Sequence, residues 1–208
     1  MAVKENSLVN TPLAIALAGR KGPQATPLDA FKLARKHWLQ GKRVSVGELA
    51  KELGVSRGKV YRWVGHKDLL LDEILWSLAK PTFEQAVKDT PGNGVDHIVS
   101  VHRRFMNDII SFKPLRQFID HDPAYALRVL TKGAVGTHER IIKAAALHIA
   151  QQAAQGYIQL PASADKLAEI IIRTNEALFY NDMICGQNPD IERACTVSRI
   201  LLSAGKIF

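Results

Sequence analysis

The sequence predicts an all-α fold. Apolar residues recur at the three- and four-residue spacing of amphipathic helices along most of the chain. No stretch combines two-residue alternation with the turn residues that are typical of β-hairpins. At 208 residues and 47% apolar content, the chain is long enough to bury a substantial core in one or two domains. We therefore expect a succession of helices that pack on one another.

Four helices are predicted before residue 82. The first three begin at a residue whose side chain can accept a hydrogen bond from a free backbone N–H, and Ser45 and Glu48 form a predicted capping box. All four end at a glycine or a proline, which terminate helices for conformational reasons. In chain order the predicted limits are Thr26 to Gly41, Ser45 to Gly54, Ser56 to Gly65, and His66 to Pro81.

Further helices are predicted after the linker at residues 91–94. An amphipathic helix runs from the linker to about residue 113, and Pro114 and Pro123 punctuate short helices. Three more cover approximately residues 137–155, 163–185 and 190–204. The inward face predicted for the helix at 163–185 comprises Leu167, Ile170, Ile171, Thr174, Leu178 and Asn181, with Asn175 and Tyr180 along its edges.

Positive charge is concentrated in the first part of the chain. The formal net charge is +8, and residues 1–80 contain 14 Lys or Arg against 7 Asp or Glu, whereas residues 81–208 contain 14 against 13. Clustered cations bind polyanions through counterion release, which favours a nucleic-acid-binding segment joined to a nearly neutral body. A solvated basic face is the alternative interpretation.

The second and third predicted helices form a helix-turn-helix. Gly54 supplies a left-handed turn, and the small Ala50 lets the two helices approach. With Val60 and Val64 turned inward, the third helix exposes a face that can enter a DNA major groove. An aromatic amphipathic helix alone would more often belong to a core, but the caps, the turn and the charge together favour DNA binding. The candidate DNA-binding residues on this helix are Ser56, Arg57, Gly58, Lys59, Tyr61, Arg62 and Trp63.

Residues 45–70, SVGELAKELGVSRGKVYRWVGHKDLL, resemble the helix-turn-helix signature of the TetR family of transcriptional regulators. The resemblance implies a three-helix DNA-binding domain at 26–66, preceded by an arm at 1–25. It also implies an α-helical ligand-binding and dimerisation domain, which with its connecting helix covers residues 67–208. Ligand binding to such a domain releases the DNA.

The same resemblance assigns roles to individual residues. It places Arg57, Gly58 and Lys59 at the base-reading start of the recognition helix and Tyr61 beside the DNA backbone, and it implies that Lys67 clamps a phosphate. Ser45 is expected either to cap its helix only or to touch a phosphate as well. Two positions depart from the family pattern. Trp63 stands where a histidine is frequent, and His66 replaces the usual Ser, Thr or Asn cap.

Two later segments, FKPLRQFIDHDPAYALRVLT and RTNEALFYNDMICGQNPDIERA, resemble regulators of the QsdR type, which control the degradation of quorum-signal lactones. The resemblance implies a lactone or fatty-acyl effector. Amides on an apolar helix face need partners, and a ligand carbonyl, a neighbouring helix or a dimer seam could provide them. For His102, a hydrogen-bonded core position is the alternative. The candidate ligand-binding residues are His102, Phe105, Tyr125, Asn175, Leu178, Phe179 and Asn181.

These observations predict a ligand-responsive transcriptional regulator, specifically a repressor that a small apolar effector releases from double-stranded operator DNA. A ligand-independent architectural or activating DNA-binding protein is the alternative. We expect a homodimer formed through the last two long helices, where the small residues Ala194, Ser198 and Ala204 permit close approach. We expect neither an enzyme nor a cofactor or metal site, because no nucleophile, phosphate-loop or metal-ligand motif occurs.

Composition also predicts a cytoplasmic location. Cys185 and Cys195 are the only cysteines, which suits a reducing compartment. The apolar run at residues 13–18 is far shorter than the roughly 18 residues needed to cross a bilayer. Lys4 precedes this run as in a signal peptide, but residues 10–12 interrupt the apolar region. We therefore expect a mobile arm and no membrane partner.

Overall fold

The computed structural model describes residues 25–131 and 136–204. Within these ranges the chain forms ten α-helices and no β-strand, which confirms the all-α prediction. None of the described helices combines the length and hydropathy of a membrane span. The arm predicted at 1–25 lies, but for its last residue, outside the described residues. The helices are α1 Pro27–Leu39, α2 Val46–Glu52, α3 Arg57–Val64, α4 Lys67–Asp89, α5 Gly94–Ser111, α6 Lys113–His121, α7 Pro123–Leu130, α8 Thr137–Ala154, α9 Ala164–Ile184 and α10 Ile191–Ser203.

Side-chain caps determine where the first helices begin. Thr26 and Asp29 form a complete capping box on α1: Thr26 Oγ1 accepts from the Asp29 N–H, and Asp29 Oδ2 accepts from the Thr26 N–H. Of the box predicted on α2, the structure records the half in which Ser45 Oγ accepts from the Glu48 N–H at 3.4 Å. Gly54, at φ +63°, supplies the left-handed turn between α2 and α3.

The helix α4 continues through Pro81 to Asp89, so the stop predicted at this proline is wrong. Proline removes one backbone donor and usually ends or kinks a helix. Here the apolar face continues beyond it, because Phe83 and Ala86 are buried in a cluster with Val101 and Phe105 of α5. Pro81 itself is exposed. Packing on both sides of the proline therefore maintains a single helix of 23 residues.

A large apolar cluster joins the predicted DNA-binding helices to the rest of the protein. It includes Trp38 of α1, Leu49 of α2 and Ile74 of α4, and it also includes Leu115 of α6 and Phe179 of α9. A second cluster lies among α5, α8, α9 and α10. The first three helices therefore share a core with the predicted ligand-binding domain and its connecting helix.

The inward face of α9 differs from the predicted one. Ile170 is 49% exposed and Asn181 is also exposed, whereas Asn175 and Phe179 are buried. The reason is that α8 and α10 both pack against α9. Covered from these two directions, the helix buries Leu167, Ala168, Ile171, Ile172, Asn175, Phe179 and Met183.

Candidate DNA-binding surface and ligand cavity

A small apolar cluster orients α3. Val60 is fully buried against Val46 and Ala50 of α2, and this contact turns the opposite side of α3 to the surface. The exposed side of α3 therefore carries long hydrogen-bond donors and a phenol ring, which can contact base edges in a major groove. Of the predicted DNA-binding residues, Ser56, Arg57, Gly58, Tyr61 and Arg62 are exposed.

Lys59 and Trp63 form a pair at the edge of this surface. The Lys59 ammonium lies 5.2 Å from the Trp63 ring, within the range of a cation–π interaction. Trp63 is half-buried and packs against the cluster of Val46, Ala50 and Val60. The indole therefore has a structural contact at the position where the family more often has a histidine.

A basic groove runs beside α3, between the α1–α2 loop and the start of α4. Its lining includes Ser45, Arg57, Tyr61 and Lys67. Gly47 makes room for Arg57, because an added Cβ would lie 3.0 Å from its Nη2 atom. Sequence reasoning missed six residues of this groove, although two of them form a dibasic pair after Gly41. These residues are Lys42, Arg43, Val44, Val46, Gly47 and Glu48.

His66 caps α4 in place of the more usual Ser, Thr or Asn. Its Nδ1 atom accepts a hydrogen bond from the Leu69 N–H at 3.4 Å. The family departure at this position therefore preserves the cap, since an imidazole nitrogen replaces a side-chain oxygen as the acceptor.

Lys67, at the start of α4, contacts the second half of the protein. Its ammonium lies 4.5 Å from the ring centroid of Tyr125 in α7. The Tyr125 hydroxyl donates to Asp68 at 2.8 Å, and Arg128 lies 3.8 Å from the same carboxylate. Burial and then the neighbouring Arg43 lower the pKa of Lys67. Tyr125 therefore lies at the junction with the predicted DNA-binding helices.

A cavity of about 70 Å³ lies among α4, α5, α8 and α9, and we call it the α5–α9 cavity. Four of the predicted ligand-binding residues line it: His102, Phe105, Asn175 and Phe179. Tyr125 and Asn181 lie elsewhere, as described above, and Leu178 packs with the cluster of α5, α8, α9 and α10. The sequence did not identify the other lining residues, among them Phe83, Met106, Ile109, Ile141, Ile172 and Tyr180.

Two buried polar side chains face the α5–α9 cavity. His102 is 2% exposed, and neither ring nitrogen has a hydrogen-bond partner among the described residues. Burial, with a smaller effect of His148, lowers its pKa to about 4, so the ring is neutral at pH 7. The Asn175 amide donates to Ser198 Oγ at 3.2 Å, which partly matches the expected bond to a neighbouring helix. Its Oδ1 has no partner in the same ranges.

The cavity wall contains one carboxylate, Glu176, among its described lining residues, and it is already paired with a histidine. Glu176 lies 2.8 Å from His138 Nδ1, and this hydrogen bond raises the pKa of His138 despite burial. No lysine or arginine of the described chain lines the cavity. In the same ranges, no three His, Cys, Asp or Glu residues are placed to hold a metal ion. The cavity wall is therefore largely apolar, with a neutral histidine and amide.

The exposed side of α9 and α10 carries isolated large apolar residues. Ile170 and Ile184 lie on one stripe of α9 together with Ala177 and Asn181, and Ile200 is 62% exposed on α10. The expectation that Ala194 and Ser198 face a second copy is wrong. Both are buried within the protomer, because α10 packs against α5 and α9.

Comparison with known proteins supports a family assignment. Residues 93–203, more than half of the chain, match the family model described as "Tetracyclin repressor-like, C-terminal domain". The fold is similar to that of the R. erythropolis transcriptional repressor QsdR from the TetR family. The TM-score is 0.80 at 24% identity, over 85% of this chain and 93% of the other. No curated protein matches the sequence. The chain belongs to the TetR family of transcriptional regulators, whose members bind operator DNA and act as dimers.

Proposed function

We propose that this protein is a dimeric operator-binding repressor that a small, neutral, largely apolar molecule releases from DNA. The observation that carries the proposal is the α5–α9 cavity, in which His102 and Asn175 present polar atoms that have no hydrogen-bond partner in the described part of the chain. A buried polar group without a hydrogen-bond partner lowers the free energy of unfolding unless a ligand pairs with it. The helix α4 connects this cavity to the basic groove, since Phe83 lines the first and Lys67 lines the second.

On the DNA side, Arg57, Gly58 and Lys59 would read bases, with Tyr61 and Lys67 on the sugar-phosphate backbone. The contacts described above indicate rearrangement on binding. Arg57 would swing away from Gly47, and Lys67 would leave the Tyr125 ring. The remaining proposed contacts are Ser45, Ser56, Arg62 and Trp63. Ser45 keeps both roles, because it caps α2 and also lines the basic groove.

A dimer would form through the exposed faces of α9 and α10. A single recognition helix makes few base contacts, and a two-fold dimer presents two of them to paired half-sites. Ile170, Ile184 and Ile200 supply the apolar residues of this face, and Ala177 permits close approach of a second helix.

The polar atoms of the cavity define the chemistry of the effector. Asn175 Oδ1 requires a donor, and the neutral His102 ring offers one N–H and one acceptor nitrogen. A compound with adjacent N–H and carbonyl groups matches both side chains. A carboxylate would face Glu176 and no cation, which makes its burial costly. We therefore favour an amide-bearing acyl lactone over a free fatty acid.

The size of the cavity indicates how the effector would act. A volume of about 70 Å³ accommodates roughly two water molecules. Binding an acyl chain therefore requires the helices around the cavity to move apart. Such movement reaches α4 through Phe83 and through α8, where the Thr137 N–H donates to Asp72 at 2.6 Å and Arg140 pairs with Glu73. An effector shifts the equilibrium only if it binds this expanded conformer more tightly.

The test begins by selecting operator sequences from random DNA with the full chain. Amide-bearing acyl lactones and fatty acids of equal chain length are then titrated into the complex, with DNA release followed by fluorescence anisotropy. We expect release by the lactones only. Asn175→Ala should raise the half-effective concentration about tenfold or more, whereas Asn107→Ala, which removes an exposed amide of α5 outside the cavity lining, should leave it unchanged.

Each component of the proposal has its own failure. Release by neither series would refute the proposed effector class and leave DNA binding standing. Selection of no preferred DNA sequence would refute specific operator binding. Equal effects of the two alanine variants would show that the α5–α9 cavity is not the site.

A further inference from the structure

A second cavity lies at the junction between the DNA-binding helices and the rest of the protein. Its volume is about 150 Å³, roughly twice that of the α5–α9 cavity. It is enclosed by the end of α1, the α1–α2 loop, the start of α4, and α6 with α7. We call it the junction cavity. It shares no lining residue with the α5–α9 cavity, so it is a separate site.

Cations outnumber anions in the lining of the junction cavity. Lys42, Arg43 and Lys67 line it, and none of them forms an ion pair with a residue in the ranges 25–131 and 136–204. The lining carboxylate is Asp122, whose Oδ1 already accepts from the Tyr125 N–H at 3.0 Å.

The remaining ionisable side chains at the junction offset this charge only in part. Asp68 and Asp122 both attract Lys67. Asp68 also accepts from the Tyr125 hydroxyl and lies near Arg128, and the lining further includes His121. The junction cavity therefore has an excess of positive charge.

The same cavity has an aromatic wall. The rings of Trp38 and Phe118 are 6.2 Å apart between centroids, and those of Phe118 and Tyr125 are 5.9 Å apart. All three line the cavity. Aromatic rings at such separations form favourable edge or offset contacts with one another and with an additional flat ring. The site therefore combines cations on one side with a surface suited to a planar apolar group on the other.

We propose that the junction cavity binds a small planar organic anion, with its acidic group between Lys67 and Arg43 and its ring against Phe118 and Tyr125. The volume is similar to that of a cavity that holds benzene, which suits a compound with one aromatic ring. Lys67 and Arg43 also line the basic groove beside α3. A bound anion therefore holds two cations that DNA phosphates would otherwise attract, and it weakens DNA binding without entering the α5–α9 cavity.

The test uses the full chain without DNA, so it does not depend on the proposed repressor function. Benzoate is compared with benzyl alcohol, which has the same ring but no charge, and with inorganic phosphate, all at constant ionic strength. We expect calorimetry to detect benzoate binding that is at least tenfold tighter than that of either control. Lys67→Met and Arg43→Met should each weaken it about tenfold or more, while Lys36→Met, an exposed cation outside the cavity, should not.

A measurement on the unmodified protein provides an independent readout. Benzoate should shift the indole N–H resonance of Trp38, which lines the junction cavity, and not those of Trp63 or Trp76. Equal binding of benzyl alcohol, or a Trp38 resonance that does not move, would overturn the proposal. Equal binding of phosphate through Lys67 and Arg43 would also overturn it. These cations would then bind phosphate groups, such as those of the DNA backbone, without any contribution from a planar ring.

Discussion

Replacing His102 with leucine should stabilise the protein while abolishing its response to the effector. The two side chains are similar in size, and leucine removes two buried ring nitrogens that lack partners among the described residues. Leaving a buried polar group unpaired costs about 1–3 kcal/mol. We therefore expect His102→Leu to gain about 1–3 kcal/mol at pH 7.5. The midpoint of thermal unfolding should rise by about 2–10 °C for a chain of this size.

The pH dependence of the free energy of unfolding provides a second test of this prediction. Burial lowers the folded-state pKa of His102 to about 4 from its ordinary value of 6.5. Below pH 6.5 the unfolded chain binds a proton that the folded protein excludes, so stability falls as the pH drops towards 4. For this group the loss amounts to about 3 kcal/mol at pH 4. His148, whose pKa is also lowered to about 4, contributes similarly and is retained in the variant. The advantage of His102→Leu should therefore increase with acidity.

The assay is urea or thermal unfolding at pH 7.5 and pH 5, at a fixed protomer concentration because dimerisation contributes to stability. Phe105→Leu is the matched control. It alters the wall of the same cavity without removing a polar atom, so it should destabilise the protein by about 1 kcal/mol or more at either pH. If His102→Leu were destabilised to the same extent, with no added advantage at pH 5, the ring nitrogens would be hydrogen-bonded in solution and the effector argument would lose its basis.

Three further predictions concern DNA binding, assembly and pH. Lys67→Ala should weaken binding to all DNA sequences and reduce the slope of log affinity against log salt concentration by about one. Arg57→Ala should instead cost about 1–3 kcal/mol of binding free energy on the preferred operator only. Anisotropy titrations at several salt concentrations would show both effects. Ile200→Glu should yield monomers in sedimentation experiments, and Leu147→Glu, an equally exposed position on α8, should leave dimers intact. The hydrogen bond to Glu176 raises the pKa of His138 in the folded protein. This bond adds stability below pH 6.5, and that stability is lost as the pH rises through the folded-state pKa. His138→Gln should therefore be most destabilising in acid.

Local signals in the sequence predict where most helices begin. A cap depends on a few neighbouring residues, so Thr26, Ser56 and Ser163 could be recognised as helix starts without any knowledge of the fold. The helix-turn-helix follows from the same kind of information, because Ala50 and Gly54 act within one short segment. The orientation of α3 was therefore predictable, and most of its candidate contacts are exposed.

Features that depend on distant parts of the chain were less predictable. Whether α4 stops at Pro81 depends on the burial of Phe83 against α5, which no local pattern reveals. Which face of α9 is buried depends on the positions of α8 and α10, and this is why Asn181 was placed inside. The predicted ligand contacts divide accordingly among the α5–α9 cavity, the junction, the apolar cluster of α5, α8, α9 and α10, and the surface. Tyr125 contacts Lys67, 58 positions earlier, an association that only the folded chain establishes.

The large apolar cluster indicates how the two ends of the molecule are coupled. Phe179 belongs to this cluster and also lines the α5–α9 cavity, while Trp38 and Leu71 belong to it and line the junction cavity. Because protein interiors are close-packed, an effector that displaces Phe179 must shift its neighbours as well. Leu49 of α2 is one member of that cluster, whereas α3 is oriented mainly by its own small cluster of Val46, Ala50 and Val60. An effector would therefore reposition α1, α2 and α4 with α3 attached and intact, changing the spacing of recognition helices in a dimer and not their structure.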